Sequence, residues 1–177
     1  MSREEHWINQ QQQLITERHS VRHFADRPLT EELIDTILEA GRWAPSGLNN
    51  QPWRFTVIRD QNLKLKIAEL TKYHRIIEEA PVIIGVFLDN DALYHREKDI
   101  MSIGAALQNM LLMAHSLELG AVWLGEILKN GELVRKLLEL PPGYELMAII
   151  ATGYSTADQT SQERSRKPLE ELVLLRR

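Results

Sequence analysis

The sequence predicts a mixed fold, α+β or α/β, in which helices cover a central sheet, and three observations carry that prediction. Val82 to Leu88 is an unbroken apolar run bounded by Pro81 and Asp89, the pattern of a central strand buried on both faces. Other segments repeat apolar residues at helical spacing, most clearly Ile103, Ala106, Leu107, Met110, Leu111 and Ala114. Strand-like and helix-like segments also alternate along the chain, with no internal repeat and no linker long enough to separate domains.

The elements follow in order. Trp7, Ile8, Leu14 and Ile15 predict a short amphipathic helix in the polar opening segment. Thr30 caps a second helix, with Glu31 and Glu32 in its first turn, where the dipole favours acids, and Leu33, Ile34, Ile37 and Leu38 on its apolar face; Pro45 stops it. Trp53 to Arg59 reads as a strand with Phe55 and Val57 inward and Arg54 and Thr56 outward. Asp60 opens a helix carrying Leu63, Ile67 and Leu70. The apolar run 82–88 follows, then a long helix from about Leu93 to Leu119, which Gly120 ends. Ala121 to Leu124 is a third strand, Leu133 to Leu138 a short helix, Pro141-Pro142-Gly143 a turn, and Leu146 to Thr152 a fourth strand. After a polar stretch the chain closes with Leu172-Val-Leu-Leu175, a strand-like segment with no partner in its own neighbourhood.

Composition narrows the function classes. The 177 residues are most simply one domain, 1–177, long enough to bury a substantial core. With 21 Lys+Arg against 25 Asp+Glu the net charge is −4, so a nucleic-acid role needs a local basic patch. Cysteine is absent, which removes disulfides, thiolate metal sites and a Cys nucleophile. The opening Met1-Ser-Arg-Glu-Glu-His6 has no apolar core of a signal peptide, so a cytoplasmic location is expected. The most apolar window, Ile100 to Leu128, is broken by Gln108, Asn109, His115 and Glu118 and reads as a buried helix and strand, so no membrane partner is expected.

The common nucleotide, dinucleotide, serine-hydrolase and zinc-protease signatures are missing. His19 and His23 stand four apart without a third ligand nearby, so no metal site is read there. Two basic clusters, Arg18-His19-Ser20-Val21-Arg22 and Arg164-Ser165-Arg166-Lys167, set guanidinium forks beside a hydroxyl, the donor set of a phosphate site; each also has the plainer reading of a solvated surface. The third feature is the loop Ala44-Pro-Ser-Gly-Leu-Asn-Asn-Gln-Pro-Trp53, richer in amides than a turn requires and able to meet a heterocycle edge with both donors and acceptors.

Together these residues resemble the nitroreductase family of flavin-dependent oxidoreductases. Arg18, Ser20, Arg22 and Phe24 match its opening pattern, and Pro45, Ser46, Asn49, Gln51, Pro52 and Trp53 match the pattern that follows. Gly120-Ala-Val-Trp-Leu-Gly125, Gly153-Tyr154 and the tail Arg164-x-Arg166-x-Pro168-Leu169 continue the likeness over nearly the whole chain.

The resemblance implies an α+β fold with a four-stranded, mostly antiparallel sheet flanked by helices, built into an intertwined homodimer with FMN at each of two interface sites. The C-terminal segment would cross onto the partner's sheet. Arg18, Ser20, Arg164 and Arg166 would hold the phosphate, with His19 counted among the cofactor-binding residues. Arg22 would lie toward the flavin N1 and O2 edge, where a positive charge stabilises the reduced anion. Ser46, Asn49 and Gln51, with Pro45 packing nearby, would reach ribityl and ring from the other subunit, and Leu124 and Gly125 would bring main-chain groups beside the ring.

The implied chemistry is ping-pong: NADH or NADPH delivers hydride to the flavin, leaves, and a small electron-poor acceptor such as a nitroaromatic or quinone takes its place. No side-chain catalytic residue is assigned. Only about ten residues, Asn90 to Asp99, link the strand after Pro81 to the long helix, where larger relatives carry inserted helices. The pocket should therefore be open unless the N-terminal helix with Trp7 substitutes, with Tyr94 and His95 as candidate rim residues. Two other readings stand beside this one. A flavin-binding carrier or sensor would lack rapid NAD(P)H oxidation, and a nucleic-acid-binding module would be colourless and salt-sensitive.

Overall fold

In the computed structural model, which describes residues 3–156 and 165–177, four strands form one antiparallel sheet in the order β1-β2-β4-β3. The strands are β1 (Trp53–Ile58), β2 (Val82–Asp89), β3 (Gly120–Leu124) and β4 (Tyr144–Gly153). The helices are α1 (Arg3–Glu17), α2 (Glu31–Arg42), α3 (Gln61–Ala68), α4 (His74–Glu79), α5 (Arg96–Ser116), α6 (Gly131–Leu137) and the single turn α7 (Leu169–Leu172).

The apolar run in β2 organises the molecule. All eight of its residues are buried. Val82, Ile84, Val86 and Leu88 point into one core with Ile34 and Ile37 of α2 and Ile103, Leu107 and Met110 of α5. Ile83 and Phe87 point into a second core with Ile67 of α3, Ile77 of α4 and Val134 of α6. The result is three layers, with α2 and α5 on one face of the sheet and α3, α4 and α6 on the other. Phe87 is fully buried, and truncating such a side chain to alanine costs about 3–5 kcal/mol.

Local chemistry sets most boundaries as expected. The Thr30 side chain accepts from the Leu33 N–H, and Asp60 does the same for its own Leu63. Four expectations need correction. Val57 is 40% exposed, on the edge strand β1. Leu70 lies past the end of α3. The long helix begins at Arg96, since the Asp99 carboxylate accepts the N–H groups of Tyr94 and His95 and stops the helix from extending backward.

The end of that helix is the fourth. The left-handed turn is made by Glu118 (φ 59°), and Gly120 already belongs to β3. Glycine is required there for another reason: a Cβ would lie 2.5 Å from Val21 Cγ1. Helix α4 has no counterpart among the expected elements, being six residues long and too short to show a period. At the C-terminus Leu172 closes a helical turn, Leu172, Leu174 and Leu175 are 61%, 98% and 65% exposed, and the expected strand pairs with no other among the described residues.

Candidate functional site

The segment 18–25 lies along the outer edge of β3. Ser20 bridges Ala121 in parallel fashion, and the Val21 N–H donates to Ala121 O at 3.0 Å. Further on, Phe24 bridges Ser155, and the Ala25 N–H donates to Tyr154 O at 2.8 Å. Val21 and Phe24 are buried in the α3/α4 core, so they anchor the segment while Ser20 stays half-buried and Arg22 exposed. Arg18 is half-buried directly after α1. Arg22 Nη1 reaches Ser20 O at 3.3 Å, and the His19 ring stands edge-on to His115 at 6.4 Å between centroids. His23 is turned away to Glu79 at 3.1 Å.

From Ala121, opposite Ser20, to Gly125 is about 13 Å along an extended chain at ~3.3 Å per residue. Leu124 is buried and Gly125 exposed. Gly125 has φ −100° and ψ −19°, a conformation open to any residue, and the nearest atom to an added Cβ would be Trp123 Nε1 at 3.9 Å. The fold therefore does not demand glycine here; its bare backbone leaves room for something outside the chain to approach.

Glu126, which follows, was not singled out in the sequence. It accepts from Thr71 Oγ1 at 2.6 Å and from the Lys72 N–H at 3.2 Å and pairs with Lys129, fixing the backbone beyond Gly125 to the α3–α4 turn. The Lys129 and Thr71 bonds hold its pKa down at about 2. An acid directly after a glycine-ended strand was the available signal.

The amide-rich loop is built differently. Leu48, Asn49 and Gln51 have φ of 53°, 57° and 47°, and for residues other than glycine each such turn costs roughly 1–2 kcal/mol, least for Asn. Inside the loop, Ser46 Oγ accepts from the Gln51 N–H at 3.0 Å, and Gln51 Nε2 donates to Asn49 O at 3.2 Å. Pro45, Leu48 and Asn49 are exposed, and Ser46 and Gln51 half-buried. Asn50 acts as a strut, because its Nδ2 donates to Ala92 O and to Asp99 Oδ1, both at 2.9 Å. The Tyr94 ring, 47% exposed, lies against Gly47.

The two groups do not meet within one chain. The loop leads into β1, and the segment 18–22 flanks β3 on its outer side, at opposite edges of the sheet and about 19 Å apart by four ~4.8 Å strand spacings alone. Arg166 is exposed on the C-terminal segment, with Nη1 on Ser165 O at 2.8 Å, and Arg164 lies outside the described residues. A cavity of about 550 Å³ is lined by Arg96, Leu128, Gly131, Tyr144, Glu145 and Met147 and by none of the expected site residues. Among the described residues no group of three or more His, Cys, Asp or Glu could hold a metal ion, and no helix is long and apolar enough to cross a membrane.

The sequence profile described as "Nitroreductase family" matches residues 15–73 and 68–154. A crystal structure from Desulfovibrio desulfuricans, provisionally described as a nitroreductase in complex with FMN, has 47% sequence identity and a TM-score of 0.88, covering 94% of this chain and 96% of that one. A Methanothermobacter thermautotrophicus protein, provisionally named NADH dehydrogenase/NAD(P)H nitroreductase, is 37% identical over 142 residues, 79% of this chain and 74% of the relative. An FMN reductase [NAD(P)H] of Bacillus subtilis is 29% identical over 174 residues, 88% of this chain and 69% of the relative.

Proposed function

The chain belongs to the nitroreductase family, and on that premise we propose that it is an FMN-dependent NAD(P)H oxidoreductase whose two sites are each completed by a second copy of the chain. One observation carries the proposal: the donors suited to a phosphate and those suited to a heterocycle edge sit at opposite edges of the same sheet. One copy supplies the first set and its partner the second, so both meet only where the β3 edge of one chain faces the loop of another.

The residues fit FMN. Arg18, Ser20 and Arg166, with Arg164 and the neighbouring His19, are the guanidinium and hydroxyl donors that hold a phosphate by charge-assisted bonds. The open backbone at Gly125, about 13 Å along β3 from the Ser20 bridge, suits a ligand with a phosphate at one end and a flat ring at the other. Leu124 and Gly125 present main-chain groups to that ring, and Arg22 brings a fixed positive charge to its N1 and O2 edge. Asn49 and Gln51 of the partner subunit, with Ser46 and Pro45, close the ring and ribityl side. FMN, when bound, accepts hydride from NAD(P)H and passes it to an electron-poor acceptor such as a nitroaromatic or quinone. The chain's own part is to bind, orient and bias charge; no side chain is assigned as acid, base or nucleophile. The exposed leucines at 172, 174 and 175 cross to the partner and are covered there.

The test is the purified protein itself. The expected result is a yellow dimer that releases FMN on denaturation, oxidises NADH or NADPH only when an acceptor such as a quinone is supplied, and gives parallel double-reciprocal plots. A colourless protein that takes up no FMN would overturn the proposal, bound flavin without turnover would leave a carrier, and intersecting plots would remove the ping-pong order.

A further inference from the structure

Asp99 has no solvent exposure, yet it carries a carboxylate. Burial alone would push its pKa up, but the N–H of His95, the Asn50 amide and the N–H of Tyr94 outweigh that and hold it below the usual range. Its Oδ2 takes the Tyr94 and His95 N–H groups at 2.8 and 2.9 Å, which fixes the start of α5. Its Oδ1 takes Asn50 Nδ2 at 2.9 Å, which fixes the loop. Among the described residues Asn50 Oδ1 is buried with no hydrogen-bond partner, so asparagine is held here for the sake of its two N–H donors.

The loop needs such an anchor. Three left-handed residues within 48–51 relax unless their surroundings over-determine them, and the Ser46–Gln51 bond closes only the loop on itself. Among the described residues, the side-chain hydrogen bonds that leave the middle of the loop, 47–50, both come from Asn50 and end on the connector 90–99. The Tyr94 ring seals the same junction: a Cβ on Gly47 would lie 2.7 Å from Tyr94 Cδ1.

We infer that Asp99 is a positioning residue of the flavin site: acting through Asn50, it locks loop 46–51 in the conformation that presents Asn49 and Gln51 to the partner's FMN, and it couples that loop to Tyr94 at the rim of the acceptor pocket. This rests on the reading that the loop contacts FMN. It assigns a role to a residue that reaches neither cofactor nor acceptor, and it explains a buried charge that a helix start alone does not require, since an asparagine there could still accept both backbone N–H groups.

That last point supplies the test. In Asp99→Asn the Tyr94 and His95 N–H groups keep an acceptor, but Asn50 can no longer satisfy both of its partners: either its N–H₂ faces the new N–H₂, or its amide turns over and its oxygen faces Ala92 O, so the loop loses one of its two bonds and loosens while α5 keeps its start. The expected result is faster hydrogen exchange confined to the amides of residues 49–51, FMN held about tenfold more weakly by the dimer, the value of one charge-assisted bond, and a raised acceptor KM with little change in kcat. Asn50→Asp added to Asp99→Asn restores a carboxylate–amide pair and should recover part of the loss. Should Asp99→Asn fail to fold, Asn50→Ala removes the loop's side-chain donor, keeps the Asp99 bonds to the Tyr94 and His95 N–H groups, and tests the same link. Unchanged exchange in the loop would overturn the clamp; faster exchange with unchanged FMN affinity and KM would overturn its role in the site. A wild-type protein that binds no FMN would instead overturn the flavin reading, and the site role with it.

Discussion

Residues 18–25 reach their place by joining the sheet, whereas residues 45–51 reach theirs by leaving regular structure altogether. The first segment borrows backbone bonds from Ala121 and Tyr154 and sinks Val21 and Phe24 into the core, which leaves the polar side chains between them outward. The second turns through three left-handed residues and is pinned by one buried ion and one aromatic ring. A rigid edge suits a charge that must stay fixed on a phosphate; a strained loop held by side chains suits a contact that reaches across to another subunit. The two should therefore fail in different ways.

The largest effects belong to the rigid edge and its basic partner. Arg18→Ala and Arg166→Ala should each weaken FMN binding by about ten- to a hundredfold, roughly 1.5–3 kcal/mol, while the apoprotein still folds. The double variant should lose less than the sum, since both arginines would share one phosphate; strict additivity in an FMN titration would make them separate surface features.

Next comes the contrast between two glycines on β3 and its exit. Gly125→Ala should leave the apoprotein as stable or slightly more so, by about 0.4–1 kcal/mol, yet lower FMN affinity by about tenfold, because the open space would be taken by a methyl group. Gly120→Ala should instead destabilise the fold by about 1–3 kcal/mol through its clash with Val21. Equal effects of both on stability would contradict the assignment of Gly125 to a ligand.

The smallest effect is one of pH. Glu126 has its pKa lowered to about 2, so the stability it lends is complete above the ordinary value of 4.5 and is lost as the pH falls through about 2. In Glu126→Gln the acid limb of a melting-temperature profile should flatten over that window; an unchanged limb would mean that the bonds to Thr71 and Lys129 do not persist in solution.

Much of this was legible in the sequence where a residue's role is local. The apolar run 82–88, the Thr30 and Asp60 caps and the Arg18–Arg22 and Pro45–Trp53 patterns each declare themselves within a few positions. What stayed hidden depends on distant partners. Val57 is exposed on β1, whose edge position no periodicity records. Gly120 looked like a helix terminator, and only the packing of Val21 shows why it is glycine. Asn50 looked like one more amide of the loop, but its bond to Asp99, 49 positions on, ties the loop to the start of α5. The separation of the candidate residues onto two sheet edges follows from strand order, a property of the whole fold.

The claim that each site joins the β3 edge of one chain to the loop of another has a direct test in mixed dimers. Arg18→Ala disables one half of the site and a Ser46→Ala/Asn49→Ala/Gln51→Ala chain the other, so either homodimer should retain little FMN. In a dimer that pairs one chain of each kind, a shared site predicts that one of the two positions receives both intact halves and the other receives both damaged ones. FMN counted per purified mixed dimer should then return to about one, with activity to match. If the mixed dimer holds no more FMN than the two homodimers, each site lies within a single chain and the account is wrong.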